Sequence, residues 1–289
     1  MTILVTGATG LVGRNVVRQL IEAGQPVRAL SRDPQAAAKL LPAGAELVRG
    51  DLTDPEGLRP ALAGVDRLYL FPVDEAATRV VELAVEAGVR RIVDLSAAAV
   101  TVGLHHNPVE TVVESSGLEW THVRPAGFMG NMLPLWAPMV RAGRVVRYPY
   151  GDTPGDAPIH EADIAAVAVA ALLGEGHHGR AYTLTGPRRM TVREQVAAIA
   201  EGIGEPVGYE EVSREQARAE LKTFGGLAAQ TADLMLGFAE YGGAPSEGDA
   251  NQEQDWSALM RVWPTVEEVL GRPGLTFADW ARDHAADFR

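Results

Sequence analysis

The chain has 289 residues, 46% hydrophobic and 22% charged, with a formal net charge of −12 and no cysteine. That length suits one large α/β domain with a smaller lobe, and no apolar run is long enough to span a bilayer. The acidity argues against nucleic acid and acidic membranes as partners. The missing cysteines exclude disulfides, thiolate metal sites and a thiol nucleophile, which fits a reducing cytoplasm.

Residues 2–6 already read as a buried strand, so no signal peptide is expected and the protein is placed in the cytoplasm. This strand runs into Gly7, Gly10 and Gly13 and then into helical periodicity over Leu11–Ala23, stopped by Gly24. A strand, a tight turn and a helix N-terminus in that order set backbone N–H groups and the positive helix end against a pyrophosphate. Gly7 allows the turn, Gly10 lets backbone approach a dinucleotide, and Gly13 lets the helix pack on the strand. The spacing is G-x-x-G-x-x-G, not the general G-x-G-x-x-G, so its context carries the reading. Thr9, Leu11 and Val12 belong to the same cradle.

The second strand, Val27–Ser31, ends at Ser31-Arg32, where sites for the cofactor lacking a 2′-phosphate carry a carboxylate. A guanidinium there holds a 2′-phosphate through charge-assisted contacts, which favours NADP(H) over NAD(H). Asp33-Pro34 reads as a helix N-cap with Pro at the first helical position. A third strand, Glu46–Arg49, leads to Asp51, placed to accept from the adenine amino group, and Leu52. Asp54-Pro55 reads as another helix cap. The fourth strand, Arg67–Phe71, enters Pro72-Val73, a turn lining the cofactor cleft. A helix over Glu75–Ala87 and strands over Arg91–Ser96 and Trp120–Arg124 follow. This alternation implies an α/β fold, a doubly wound parallel sheet with helices on both faces.

Beyond Pro125 the texture changes. Ala126–Tyr150 reads as an irregular, aromatic and Met-rich segment suited to a substrate wall or a lobe interface, with Ala126, Phe128, Met129 and Trp136 as pocket residues. A buried helix over Glu161–Leu173 and a strand over Ala181–Thr185 return to the main sheet. From Gly186 the chain reads as a small helical lobe. Capping boxes are expected at Thr191-Val-Arg-Glu194, Ser213-Arg-Glu-Gln216 and Thr265-Val-Glu-Glu268, a short strand at Tyr209–Val212, a loop at Ser246–Gln254, and a last helix over Thr276–Ala286 anchored by Phe277 and Trp280. The expected division is 1–130 with 158–186 as the dinucleotide domain, and 131–157 with 187–289 as the substrate lobe.

Thr6-Gly-Ala-Thr-Gly-x-x-Gly13, Ser31-Arg32, Gly50-Asp-Leu52, Ser115-Ser-Gly-Leu-Glu-Trp-Thr121, Arg124-Pro125, Phe128-Met-Gly-Asn131, Ala162-Asp-Ile-Ala165 and Thr276-Phe-Ala-Asp-Trp280 carry a family likeness. Over nearly its whole length the chain resembles the NmrA-like branch of the atypical short-chain dehydrogenases/reductases. The resemblance implies a Rossmann-type domain with a smaller, mainly helical C-terminal lobe and a cleft between them. It also implies NADP(H) or NAD(H) bound by the N-terminal loop, the end of strand two and the loops after strands three to five. Phe71, Pro72, Ser96, Ala126 and Phe128 are expected around the nicotinamide end.

Reductases of that superfamily use a Tyr-x-x-x-Lys pair, in which Lys lowers the Tyr pKa for proton transfer to a carbonyl oxygen. Here no tyrosine lies between Tyr69 and Tyr148, no lysine lies between Lys39 and Lys222, and Ser96 is followed by Ala97-Ala98-Ala99. The keto-reductase mechanism is therefore absent. The likeness instead points to an NADPH-dependent reductase of a quinone-like or aromatic carbonyl substrate, since a quinone becomes a stabilised phenolate and needs little acid assistance. A non-catalytic dinucleotide sensor with a regulatory protein partner is the alternative, and a cofactor-retaining isomerase or epimerase a third. A homodimer suits either of the first two.

His106 and Glu110, beside His105, are the polar catalytic candidates. The competing reading makes Asn107 a helix cap, the two histidines an exposed loop and Glu110 a first-turn residue answering the helix dipole. His160 and Asp163 are expected to brace the cleft. His177-His178 reads as a surface turn, and no metal site is expected.

Overall fold

The computed structural model describes residues 1–238 and 259–289. In chain order the elements are β1 (Ile3–Val5), α1 (Leu11–Glu22), β2 (Val27–Ser31), α2 (Pro34–Ala37), β3 (Glu46–Arg49), α3 (Arg59–Leu62), β4 (Arg67–Leu70) and α4 (Ala77–Glu86). Then come β5 (Arg91–Leu95), α5 (Ala98–Thr101), α6 (Pro108–Glu114), β6 (Glu119–Pro125), α7 (Leu133–Gly143), β7 (Val145–Tyr148), α8 (Glu161–Leu173) and β8 (Arg180–Leu184). The rest are α9 (Val192–Ile203), β9 (Gly208–Glu211), α10 (Arg214–Phe224), α11 (Gly226–Met235), α12 (Thr265–Leu270) and α13 (Phe277–Asp283). No helix among the described residues is long and apolar enough to cross a membrane. The loop expected over Ser246–Gln254 lies outside the described residues.

The described chain forms two compact units, 1–126 with 161–185 and 263–274, and 127–160 with 186–238, 259–262 and 275–289. In the first, seven strands lie in the order β3-β2-β1-β4-β5-β6-β8. Every neighbouring pair is parallel: Ile3 stands opposite both Val27 and Arg67, and Asp94 opposite His122. All of β1 and β5 is buried, because helices cover both faces. On one face α1 lies along α8, whose Ala/Val-rich sequence is buried on nearly every side. The other face packs Leu4, Leu68, Leu70 and Ile92 against Val80, Val81 and Val109 of α4 and α6. The sheet is the doubly wound one expected, and its order reverses between β1 and β4, the position where such folds bind ligands.

Residues 263–274, assigned from the sequence to the lobe, belong to the first unit. The Trp263 N–H donates to Thr185 Oγ1 at 2.9 Å, and Arg272 pairs with the buried Asp163 at 2.7 Å. Conversely, 127–130 and 158–160 fall in the second unit.

The second unit is built around Trp136, Val146, Ile199, Leu221, Phe277, Trp280 and Phe288. Its small sheet pairs β7 with β9 in parallel. The segment Ala126–Tyr150 is not irregular: a 3-10 turn over Met129–Met132 leads into α7 and β7. Leu135, Trp136, Met139 and Val140 form a helical stripe masked in the sequence by Pro134 in the first turn and Pro138 inside the helix. The boxes at Thr191 and Ser213 form as expected. Thr265 caps nothing: Pro264 takes the N-cap position of α12, and the third box closes instead between Thr276 and Asp279. α13 stops at Asp283, and a 3-10 turn over Ala285–Phe288 tucks Phe288 under the core.

Trp280 is fully buried and packs its ring against Phe277 and Phe288. Trp280→Ala is expected to cost about 3–5 kcal/mol, read as a lower urea midpoint; a loss below about 1 kcal/mol would remove Trp280 from the core it is assigned to.

Candidate cofactor site

The exits of β1 and β4 are clipped together. Thr6 Oγ1 donates to the Tyr69 carbonyl at 3.0 Å and accepts the Phe71 N–H at 2.7 Å. Gly7 follows with φ +58°, the left-handed region that suits glycine, and a Cβ there would stand 2.9 Å from Phe71 Cβ. A Cβ on Gly13 would lie 2.1 Å from the Gly7 carbonyl oxygen, so α1 seats on the turn only with glycine at that point. Gly10 is the N-cap of α1 and has no side chain to cap it, and no acidic residue sits in the first turn. The N–H groups of Leu11, Val12 and Gly13 thus lie in an open helix N-terminus, a fit for the diphosphate of a dinucleotide. Thr9 is exposed on the turn, and Val12 is buried beneath it.

At the exit of β2 the Ser31 hydroxyl donates to the Asp33 carbonyl at 3.0 Å and accepts the Asp33 N–H at 3.1 Å. Asp33 caps α2 through the N–H groups of Gln35 and Ala36, as expected. Between them Arg32 is exposed and enters no ion pair among the described residues. Asp51 accepts the Thr53 N–H at 3.0 Å and the Thr53 hydroxyl at 2.9 Å. Those hydrogen bonds, with the Arg32 charge in support, hold its carboxyl below the usual range. Leu52 is buried beside it. Asp54 stands at the start of a 3-10 turn over Pro55–Leu58 but makes no side-chain capping bond. After β4, Phe71 is 43% exposed, an unusual setting for a phenyl ring, and Pro72 and Val73 are half-buried.

At the exits of β5 and β6 lies a polar network within an otherwise apolar layer. Asn107 caps α6 by accepting the Val109 N–H at 2.9 Å and donates through Nδ2 to Ser96 Oγ at 2.9 Å. Glu110, 5% exposed, takes both ends of the Arg124 fork at 2.8 and 2.7 Å. Arg124 also reaches Thr101 Oγ1 at 3.3 Å, itself 2.7 Å from Thr183 Oγ1. One step deeper, His122 Nδ1 meets Asp94 at 2.6 Å and Nε2 meets Glu114 at 3.3 Å, with Asp94 and His122 both fully buried. Burial alone would raise Glu110, but Arg124 and the Ser96 hydroxyl overcome it and hold the carboxyl low. For Asp94 burial wins over His122 and the carboxyl is pushed up. Burial works against the His122 cation, yet the facing carboxylates of Asp94, Glu110 and Glu114 carry the imidazole above its ordinary value.

Glu110 stands in the first turn of α6, as expected, but it is no free acid: both its oxygens are engaged by Arg124. His105 and His106 are exposed. Asp94, Glu110 and His122 bring ligand atoms within 4.8 Å of one another, but the pairings above already occupy that cluster. His177 Nδ1 meets the Tyr182 hydroxyl at 2.8 Å, and His178 Nδ1 accepts the Trp120 N–H at 3.2 Å, as turn residues should. Met129 and Trp136 are each 1% exposed in the core of the second unit, so they form no pocket wall. Ala126 and Phe128 are half-buried. Asp163 anchors Arg272, and His160 lies 3.3 Å from Asp283. Sequence reasoning missed Asn107–Ser96 and Arg124–Glu110; the signal available was charge and polarity inside apolar strands, at Asp94, His122 and Arg124.

An NAD(P)H-binding family model matches residues 7–175. The chain is 41% identical over 296 residues to a (4-alkanoyl-5-oxo-2,5-dihydrofuran-3-yl)methyl phosphate reductase of Streptomyces griseus, covering 99% of both chains. It is 37% identical to an NAD(P)H azoreductase of Xenophilus azovorans, again over 99% of both. Among solved structures, the NADPH complex of the Escherichia coli quinone oxidoreductase QOR2 matches with a TM-score of 0.74 and 27% identity, over 98% of this chain and 99% of the other.

A His122 pKa raised on folding contributes stability that is complete below the ordinary imidazole value of 6.5 and is lost as pH climbs through the folded value. Urea midpoints of the wild type should fall across that upper window, and His122→Gln should flatten the slope. Equal slopes in the two proteins would mean that the imidazole carries no linked proton.

Proposed function

This chain belongs to the NAD(P)H-binding family, and from that premise we propose that it is an NADPH-dependent reductase of conjugated, electron-poor acceptors such as quinone-like or aromatic carbonyl compounds. It is an NAD(P)H-binding oxidoreductase by kinship with reductases along its full length. The substrate class rests on one observation: among the described residues the exit of β5 offers no phenol and no lysine, and its hydroxyl, Ser96, is engaged by Asn107 Nδ2 at 2.9 Å. An isolated ketone needs a proton delivered as hydride arrives. A quinone, an azo group or the acylated butenolide in the name of the Streptomyces griseus relative spreads the arriving charge over a conjugated system instead.

The bound cofactor would supply the hydride. The chain's own part is to bind and orient. The open first turn of α1, with Thr9, Gly10, Leu11, Val12 and Gly13, would hold the diphosphate. Arg32 would face the 2′-phosphate, with Ser31 below it and Asp51 and Leu52 toward the adenine. Phe71, Pro72, Val73 and Ser96 would flank the nicotinamide, excluding water and fixing the ring. For substrate contact we retain Ala126 and Phe128, the half-buried residues on either side of Gly127. A cytoplasmic setting, in which the protein acts on its small-molecule substrate alone or as a homodimer, completes the proposal.

Steady NADPH oxidation is expected on adding a panel of quinones and acyl-butenolides; tight NADPH binding without turnover of any of them would overturn the reductase reading. Arg32→Glu should weaken NADPH by about tenfold or more, since a charge-assisted pair contributes about 1.5–3 kcal/mol, with little change for NADH. Equal losses for both would end the case for the 2′-phosphate.

A further inference from the structure

In the second unit, backbone hydrogen bonds sew residues 155–159 to two neighbouring segments. The Ile159 N–H donates to the Gly127 carbonyl and the Met129 N–H to the Ile159 carbonyl, each at 2.9 Å. On the other side the Gly155 N–H donates to the Met190 carbonyl and the Met190 N–H to the Asp156 carbonyl, each at 3.1 Å. Ala157 and Ile159 are fully buried, so the half-buried Asp156 among these anchors has a fixed place. Its carboxyl lies against the backbone of Gly127, where a Cβ would meet Asp156 Oδ2 at 2.4 Å. Glycine is therefore what admits an acid at this point, flanked in the chain by Ala126 and Phe128. Among the described residues no cation pairs with that carboxyl. Arg189, whose charge bears on it, gives its guanidinium to the Gly155 and Pro154 carbonyls at 2.9 Å, and Arg188 turns to Glu194 at 2.8 Å. Residues 127–129 bring no titratable side chain. Burial pushes the carboxyl up, against the pull of its own N–H and of Arg189.

We propose that Asp156, seated on Gly127 beside the substrate contacts Ala126 and Phe128, is a catalytic acid that protonates the oxygen anion left on the acceptor by hydride addition. The inference rests on the reductase reading above and adds a proton source that the exit of β5 lacks. NADPH gives a hydride and is oxidised; the acceptor takes the electron pair and becomes an oxygen anion. The O–H bond of Asp156 then breaks as a new O–H forms on the product, and the carboxylate regains a proton from water. For a phenolate product the transfer is downhill, since phenols are far weaker acids than carboxyls. Gly127 acts as a positioning residue, because its bare Cα sets where the acid stands.

The test is the pH profile of kcat/KM for NADPH-dependent reduction of a series of benzoquinones by the wild type and by Asp156→Asn. An acid works only while it holds its proton, so the wild-type rate should be high at low pH and fall as pH rises through the carboxyl's value. Asp156→Asn should lose about a hundredfold at the low-pH plateau, and that limb should vanish. NADPH affinity, read by calorimetry, should stay unchanged and shows that the variant is folded. The loss should grow along the series as the reduced product becomes more basic, a grading that a merely structural role would not give. Gly127→Ala presses a methyl group onto the same oxygen and should reproduce the loss, and the double variant should be no worse than either single one. An Asp156→Asn enzyme that keeps its rate or its limb overturns the inference, as does a Gly127→Ala loss that simply adds to it. A wild type that binds NADPH but turns over no quinone overturns the reductase reading instead.

Discussion

The first unit depends on the absence of a single carbon. With a Cβ at Gly13 only 2.1 Å from the Gly7 carbonyl oxygen, α1 would be levered off the end of β1. Seated as it is, α1 lies along α8 over one face of the sheet, and its uncapped first turn opens at the carboxyl end of the central strand. Thr6 then binds the exit of β1 to that of β4 on the far side of the order reversal. Close packing of α1 and its anion-ready end are thus consequences of one contact distance.

A second constraint governs the neighbouring strands. Alternation along β5 and β6 sends Ile92 and Trp120 into apolar packing, then Asp94 and His122, and finally Ser96 and Arg124 toward α6. α6 answers with Asn107, Glu110 and Glu114, so the helix is pinned by polar pairs at several heights. Taking such charges out of water is costly, and removing one partner would strand the other, so the network specifies geometry more than it adds stability.

Much of this was legible in the sequence. The strands β1, β2 and β5 show as largely apolar runs bounded by turn residues, and the helix between β1 and β2 shows as spaced apolar residues after glycines. The caps at Asp33, Asn107, Thr191 and Ser213 obey local chemistry and were readable for that reason. α7 was not, because two prolines interrupt a stripe whose burial only the second core reveals. Thr265 misled because a proline just before it occupies the cap position. The pairs Glu110–Arg124 and Asp94–His122 join residues on different elements, separations that no periodicity encodes.

The return of residues 263–274 to the first unit has a consequence for biogenesis. Trp263 and Arg272 complete contacts with Thr185 and Asp163 that the chain cannot make until most of the second unit has been synthesised. Neither unit is a contiguous stretch, so vectorial folding on the ribosome cannot finish one before starting the other. Until residues 263–274 have emerged, the first unit is incomplete and its α8 lacks the cover of α12.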